Sequence, residues 1–295
     1  MHKMSKGEKI FNVFNYLFLS LLCLSCLIPI INTLAISFSS PAQVSAGRVY
    51  LWPKEFTLMS YEFAILGGKF TRAFWVTIQR CVLGVGLNLF MIVTTAYPLS
   101  KSRSQFAARH FYMGFYVFTM LFGGGLVPWY ILMAQLGLLN SIWALVLPLS
   151  VPVYSMIIFM NFMRNLPAEI EEAAMVDGAG HFRILFTILL PTLKPVLATV
   201  GLLAFVFHWN DWFSGALFMH DPTKYPLQTY LQTLLVNFRD LFRQSGSDYY
   251  TLLMRMNEQT GRAAQLFLGL IPTLIVYPFL QKYFTKGLVM GSVKG

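Results

Sequence analysis

Between Phe111 and Met163 the chain carries no Asp, Glu, Lys or Arg. A single helix needs about 20 residues to cross the hydrocarbon core of a bilayer, so this run holds two crossings. A soluble domain would interrupt its apolar stretches with surface charge every few positions. Here 12% of the residues are charged and 56% hydrophobic, against roughly 25% charged in ordinary soluble domains. Lipid is the solvent such a chain suits. Backbone polar groups must be satisfied internally there, and the apolar runs lack the strict alternation of a barrel strand, so an all-α fold is expected.

The apolar runs lie at 11–38, 74–97, 111–134, 141–162, 192–213 and 263–284. They predict a polytopic membrane protein with six transmembrane helices, an arm at 1–10 and a tail at 285–295. The first run has the look of a signal peptide. Such peptides have an apolar stretch of about 7 to 15 residues, whereas no charge appears here between Lys9 and Arg48, so the run is read as a permanent helix. The short connection at 135–140 makes a hairpin of the third and fourth spans. Orientation follows from the short segments: Lys3, Lys6 and Lys9 in the arm, Lys101, Arg103 and Arg109 in 98–110, Lys282, Lys286 and Lys294 near the end, and no basic residue in 135–140. The positive-inside rule puts both termini in the cytoplasm. That leaves a cytoplasmic loop at 163–191 and an outer loop at 214–262.

The same topology accounts for the net charge of +10. No basic segment outside the apolar runs carries interleaved aromatics, so nucleic acid is excluded as a partner. Cys23, Cys26 and Cys81 lie inside apolar runs, and the histidines lack ligand spacing. They are read as packing residues, with no metal site.

The cytoplasmic loop carries the most specific signal. Pro167 suits the first turn of a helix, and Glu169, Glu171 and Glu172 sit where the helix dipole favours negative charge. Ile170, Ala173, Ala174 and Asp177 are expected to share a face of mainly small side chains. Gly178 can end the helix in a left-handed conformation. A second helical stretch is predicted with Phe182, Leu185, Phe186 and Leu189 on one face, closed by Pro191. The two make an elbow.

Glu172-Ala173-Ala174, three residues, Gly178, nine residues, Ile188, one residue, Leu190 and Pro191 match in spacing the EAA loop of ABC importer permeases. The chain resembles the binding-protein-dependent transport system inner membrane component family. Gly123 to Pro128, Leu136 to Pro148, His208 to Phe213 and the tail from Lys286 to Gly295 resemble its carbohydrate branch, complex-polysaccharide importers in particular. The resemblance implies an assembly: a second, non-identical permease, two ATPase subunits and an extracellular substrate-binding protein, moving an oligosaccharide through the cell membrane. It also implies a coupling role for Glu172, Ala173, Ala174, Asp177, Gly178, Ile188 and Pro191, which would dock on the ATPase. This chain lacks a Gly-rich phosphate loop ending in Gly-Lys-Ser/Thr, so ATP and Mg belong to the partner subunits, and the chain has no catalytic residues and no cofactor of its own.

His208, Trp209, Asn210, Asp211 and Trp212 mix rings and polar groups near the outer end of the fifth span. They suit a sugar path, and the two tryptophans equally suit the interfacial belt. Arg80, early in the second span, is read as snorkelling to the outer surface. Gly123, Gly124 and Gly125 are either a hinge or a site of close packing. Leu227, Leu231, Leu234, Leu235 and Phe238 form an apolar stripe in the outer loop. The alternative function is an ion-gradient-driven secondary transporter, which calls for ionisable residues at mid-membrane. A membrane glycosidase needs paired carboxylates in a pocket, and the clustered acids sit instead in the elbow.

Overall fold

The computed structural model describes residues 5–66, 68–233 and 257–292, and among these there are helices but no strands. The chain divides into two compact units, Met1–Phe70 with Thr233–Ile271, and Thr71–Gln232 with Pro272–Gly295.

In the first unit, α1 runs Lys6–Ser37. It begins at Lys6 because Ser5 and Glu8 form a capping box, the Ser5 hydroxyl accepting the Glu8 N–H and the Glu8 carboxylate accepting the Ser5 N–H. Its most apolar stretch buries nothing inside the chain. Beyond it lie α2 (Pro41–Ser45) and α3 (Met59–Leu66), with Ala35, Val44 and Val49 as a small core. The loop between them is fastened by Glu55, whose carboxylate accepts hydrogen bonds from Ser40 Oγ at 2.6 Å and Gln43 Nε2 at 2.7 Å.

In the second unit the long helix α4 (Lys69–Ser100) is uninterrupted. Its neighbours are bent in pairs: α5 (Arg109–Leu121) and α6 (Leu126–Gln135) by 113°, α7 (Trp143–Leu149) and α8 (Val153–Arg164) by 48°. A short helix α9 (Ala168–Val176) follows. Then α10 (His181–Thr192) meets α11 (Lys194–Asn210) at 87°. Further along are α12 (Phe213–Phe218) and a helical stretch at 227–233, and α13 (Glu258–Ser292), whose first part belongs to the first unit, extends the expected 263–284 at both ends. The main core packs Ile92, Val93 and Ala96 of α4 against Met156 and Phe159 of α8 and Val200 of α11.

The apolar runs at 111–134 and 141–162 are therefore not straight spans. Gly125 has φ 87°, a conformation that side chains oppose, and a Cβ at Gly123 or Gly124 would meet nothing within 4 Å. The three glycines bend the chain; they do not admit a close neighbour within it. The second break falls at Ser150–Pro152, where Pro152 has no N–H to continue a helix. Pro191 does not close α10 either, which continues to Thr192. The expected face of Phe182, Leu185, Phe186 and Leu189 is divided: Leu185 and Leu189 are buried with Ile184 in the π-helical stretch Ile184–Leu189, while Phe186 is 40% and Phe182 78% exposed. Of the outer-loop stripe, Leu227 and Leu231 are buried, and Leu234, Leu235 and Phe238 lie outside the described residues.

Candidate functional site

The elbow is built at α9. Pro167 caps its start, and Glu169 and Glu171 occupy the first turn. At its end the Gly178 N–H bonds to the Met175 carbonyl at 3.0 Å, and the Ala179 N–H bonds to the Ala174 carbonyl at 2.9 Å. With Gly178 at φ 76°, this is a Schellman cap. The expected face of small residues is divided. Ile170 and Ala174, four apart, pack into the main core, whereas Ala173 and Asp177 face outward beside Glu172 and Val176. Val176 is 88% exposed. Ile188 packs against the core and Pro191 is exposed.

Side chains that sequence reasoning left out bolt the inner side of the elbow to the end of α4. Lys101 forms an ion pair with Glu171, and its Nζ stands 4.0 Å from the centre of the Tyr97 ring. The Tyr97 hydroxyl and His181 Nδ1 share a hydrogen bond of 3.0 Å. Arg164 Nη2 donates to the Leu99 carbonyl at 3.0 Å. Lys101 reads from the sequence only as a topology charge, since nothing local to it names Glu171.

The cluster at 208–212 sits where α11 gives way to α12, and burial separates its members. Asn210 and Trp212 are exposed, Trp212 at 43%, but Trp209 is 1% exposed, set edge-on to Phe74 and stacked on Phe205. His208 is buried, donating through Nε2 to Asn88 Oδ1 at 2.9 Å. That role is assigned because the Asn88 amide nitrogen is spent on the Leu149 and Ser150 carbonyls at 2.7 and 2.9 Å. The Gly84 position lets the ring in, since a Cβ there would lie 2.4 Å from His208 Nε2.

Arg80 does not snorkel. It is 0% exposed, and it donates through Nη1 to the Asp211 carbonyl at 2.8 Å and through Nη2 to the Asp211 carboxylate at 2.5 Å. The same carboxylate accepts the N–H groups of Phe213 and Ser214 at 3.0 and 3.2 Å and so caps α12. A buried guanidinium with a carboxylate in reach pairs rather than threading to the surface. Asp211 thus belongs to the internal scaffold, and the exposed members of the cluster are Asn210 and Trp212. A cavity of about 720 Å³ lies between α4 and α11, lined by side chains such as Val82, Leu89, Leu197 and Phe205, with Lys194 as its one charged residue. Its apolar wall does not match the hydroxyl rim of a sugar.

Residues 84–289 match the family model described as binding-protein-dependent transport system inner membrane component. The chain is 37% identical over 295 residues to Protein LplC of Bacillus subtilis (strain 168), covering 100% of this chain and 98% of that protein. It is 34% identical over 291 residues to the polygalacturonan/rhamnogalacturonan transport system permease protein YtcP of the same organism, covering 98% and 99%. A solved structure of a bacterial ABC transporter involved in the import of the acidic polysaccharide alginate superposes with a TM-score of 0.88 at 32% identity, over 96% of this chain and 100% of that one. Taken with the all-helical fold and the spacing from Glu172 to Pro191, these matches place the chain in the binding-protein-dependent transport system inner membrane component family.

Proposed function

We propose that this chain is one of two permease subunits of an ATP-driven, binding-protein-dependent importer that carries an oligosaccharide or polysaccharide fragment across the bacterial cell membrane. The observation that carries the reading is the elbow at α9: a helix held rigidly on its inner side that projects Glu172, Ala173, Val176 and Asp177 outward beside a left-handed glycine cap. A rigid projection of small and acidic side chains suits a cleft in an ATPase subunit, and Phe182 extends the same exposed surface. ATP and Mg belong to two such subunits. An extracellular binding protein delivers the sugar, and a second, non-identical permease completes the path. Both termini and the elbow lie on the cytoplasmic side, with Asn210 and Trp212 on the sugar path.

The relatives support a sugar cargo. One is named for polygalacturonan and rhamnogalacturonan and another comes from an alginate importer, so uronate oligomers are the first substrates to test. An ion-gradient mechanism is less well supported, because the charge of Arg80 is met by Asp211 and not left to an ion path.

The test is Gly178→Asp in the complex purified with its native partners. A side chain at φ 76° is strained whatever the space around it, and the added carboxylate is costly to bury at a contact. The variant should reach the membrane in normal amount yet retain less ATPase subunit and lose uptake of oligogalacturonate and alginate oligomers. Normal retention and normal uptake would reduce the elbow to a connector.

A further inference from the structure

One face of α4 carries Thr77, Arg80, Gly84 and Asn88, spaced three or four apart, and each meets a place where another segment breaks off or begins. The Thr77 hydroxyl accepts the Leu227 N–H at 2.7 Å, at the start of the helical stretch 227–233. Arg80 holds Asp211 between α11 and α12, and its Nη2 also lies 3.5 Å from the Leu145 carbonyl in α7. Gly84 admits the His208 ring. Asn88 bonds the two carbonyls at the break between α7 and α8. Freed backbone groups are tolerated at membrane depth only where protein or water satisfies them, and here one helix supplies the donors for two breaks.

The other end of α4 is the end bolted to the elbow, through Tyr97 and His181 and through Lys101 and Glu171. Pro98 leaves the Thr94 carbonyl without its helical N–H, and Tyr97 lies inside that turn, but Ala96, Tyr97 and Leu99 are buried in the main core, which holds the turn in place. The stretch from Arg80 to Ser100, the residue before Lys101, is about 30 Å at 1.5 Å per residue, and it is one unbroken helix. Apolar contacts slide under load, whereas directional bonds to backbone carbonyls resist it; a rigid element bonded at both ends is a physical route for coupling.

We infer that Arg80 and Asn88 are positioning residues for transport, through which displacement of the elbow reaches both chain breaks together by way of α4. The inference rests on the reading of the elbow as the ATPase contact.

Asn210→Cys, beside the break between α11 and α12, is the reporter. In the native complex reconstituted in vesicles, maleimide labelling of residue 210 is read by mass spectrometry with and without ATP and vanadate. The unmodified α4 background should show a several-fold change in labelling rate with nucleotide. Asn88→Leu and Lys101→Met should each abolish that change while ATP hydrolysis by the assembled complex persists, and Lys101→Arg should restore it. Lys101 lies outside the core, so its two variants decide the matter even if Asn88→Leu fails to assemble. A nucleotide-dependent change that survives Lys101→Met, or one absent from the start, overturns the inference. So does a fall in labelling change that only tracks lost complex. Gly178→Asp separates the layers: if it behaves normally the elbow reading has failed, and if it disables the complex while Lys101→Met stays coupled, only the role of α4 has.

Discussion

Arg80 and Asp211 stand 131 residues apart in sequence, and a guanidinium nitrogen of one lies 2.5 Å from a carboxylate oxygen of the other. The pair joins the first half of α4 to the end of α11. Removing one member of a buried ion pair costs about 3–5 kcal/mol, because the remaining charge is left alone. Arg80→Met should therefore lower membrane abundance and the thermal midpoint of the purified protein. Adding Asp211→Asn, which removes the stranded charge but keeps an oxygen to cap α12, should recover part of the loss. Additive damage in the double variant would contradict the pairing.

Two glycines in α4 should respond in opposite ways to the same change. A Cβ at Gly84 falls 2.4 Å from His208 Nε2, while one at Gly86 meets nothing within 4 Å. Gly84→Ala should destabilise by about 1–3 kcal/mol through overpacking. Gly86→Ala gains about 1 kcal/mol of helix propensity with no clash. Thermal unfolding of the two variants in detergent checks the contrast.

Trp209 and Trp212, three residues apart, should separate by phenotype. Truncating a buried Trp costs about 3–5 kcal/mol, so Trp209→Ala should reduce the amount of folded protein. Trp212→Ala should leave that amount unchanged and weaken uptake, since its ring faces outward. Immunoblots of membranes, read beside uptake at several sugar concentrations, distinguish the two; equal uptake with Trp212→Ala would remove that residue from the path.

The loop held by Glu55 should loosen in acid. The Ser40 hydroxyl, then the Gln43 amide, hold its carboxyl below the ordinary carboxylate range. A depressed value means the fastening is in force above the free-carboxylate pKa of about 4.3 and is lost as pH falls through the lowered value. Proteolysis within 46–58 should accelerate over that acidic window, and Glu55→Gln should remove the pH dependence.

The all-helical membrane fold was legible because few folds besides a membrane span tolerate so long an uncharged run, and the short helix α9 with its glycine cap because Pro167, the acids of the first turn and Gly178 each act on their own neighbourhood. The bends at Gly125 and Pro152 were not legible from hydropathy, since a break inside an apolar run leaves its average unchanged. Nor were the pairings. Arg80 and Lys101 each show a charge in the sequence, but their partners come from distant segments that only folding brings together. Trp209 and Trp212 looked equivalent because composition records a ring, while burial depends on which side of the α11 terminus it leaves. One missed feature did have a local signature: Ser5 followed by Glu8 marks the start of α1.

The π-helical stretch Ile184–Leu189 has a consequence for chain length. A π turn holds more residues than the α turn it replaces, so the backbone there is slightly longer than the straightest path requires. Deleting one residue would let the stretch relax into ordinary α-helix, locally the more comfortable state. The segment leading into α11 would then keep nearly its present direction, because the wider turn already absorbs that residue. A second deletion has no such reserve: each residue of α-helix accounts for about 100° of rotation, and His208 and Asp211 would no longer meet Asn88 and Arg80 on α4. The wide turn gives this segment a tolerance of one residue in length.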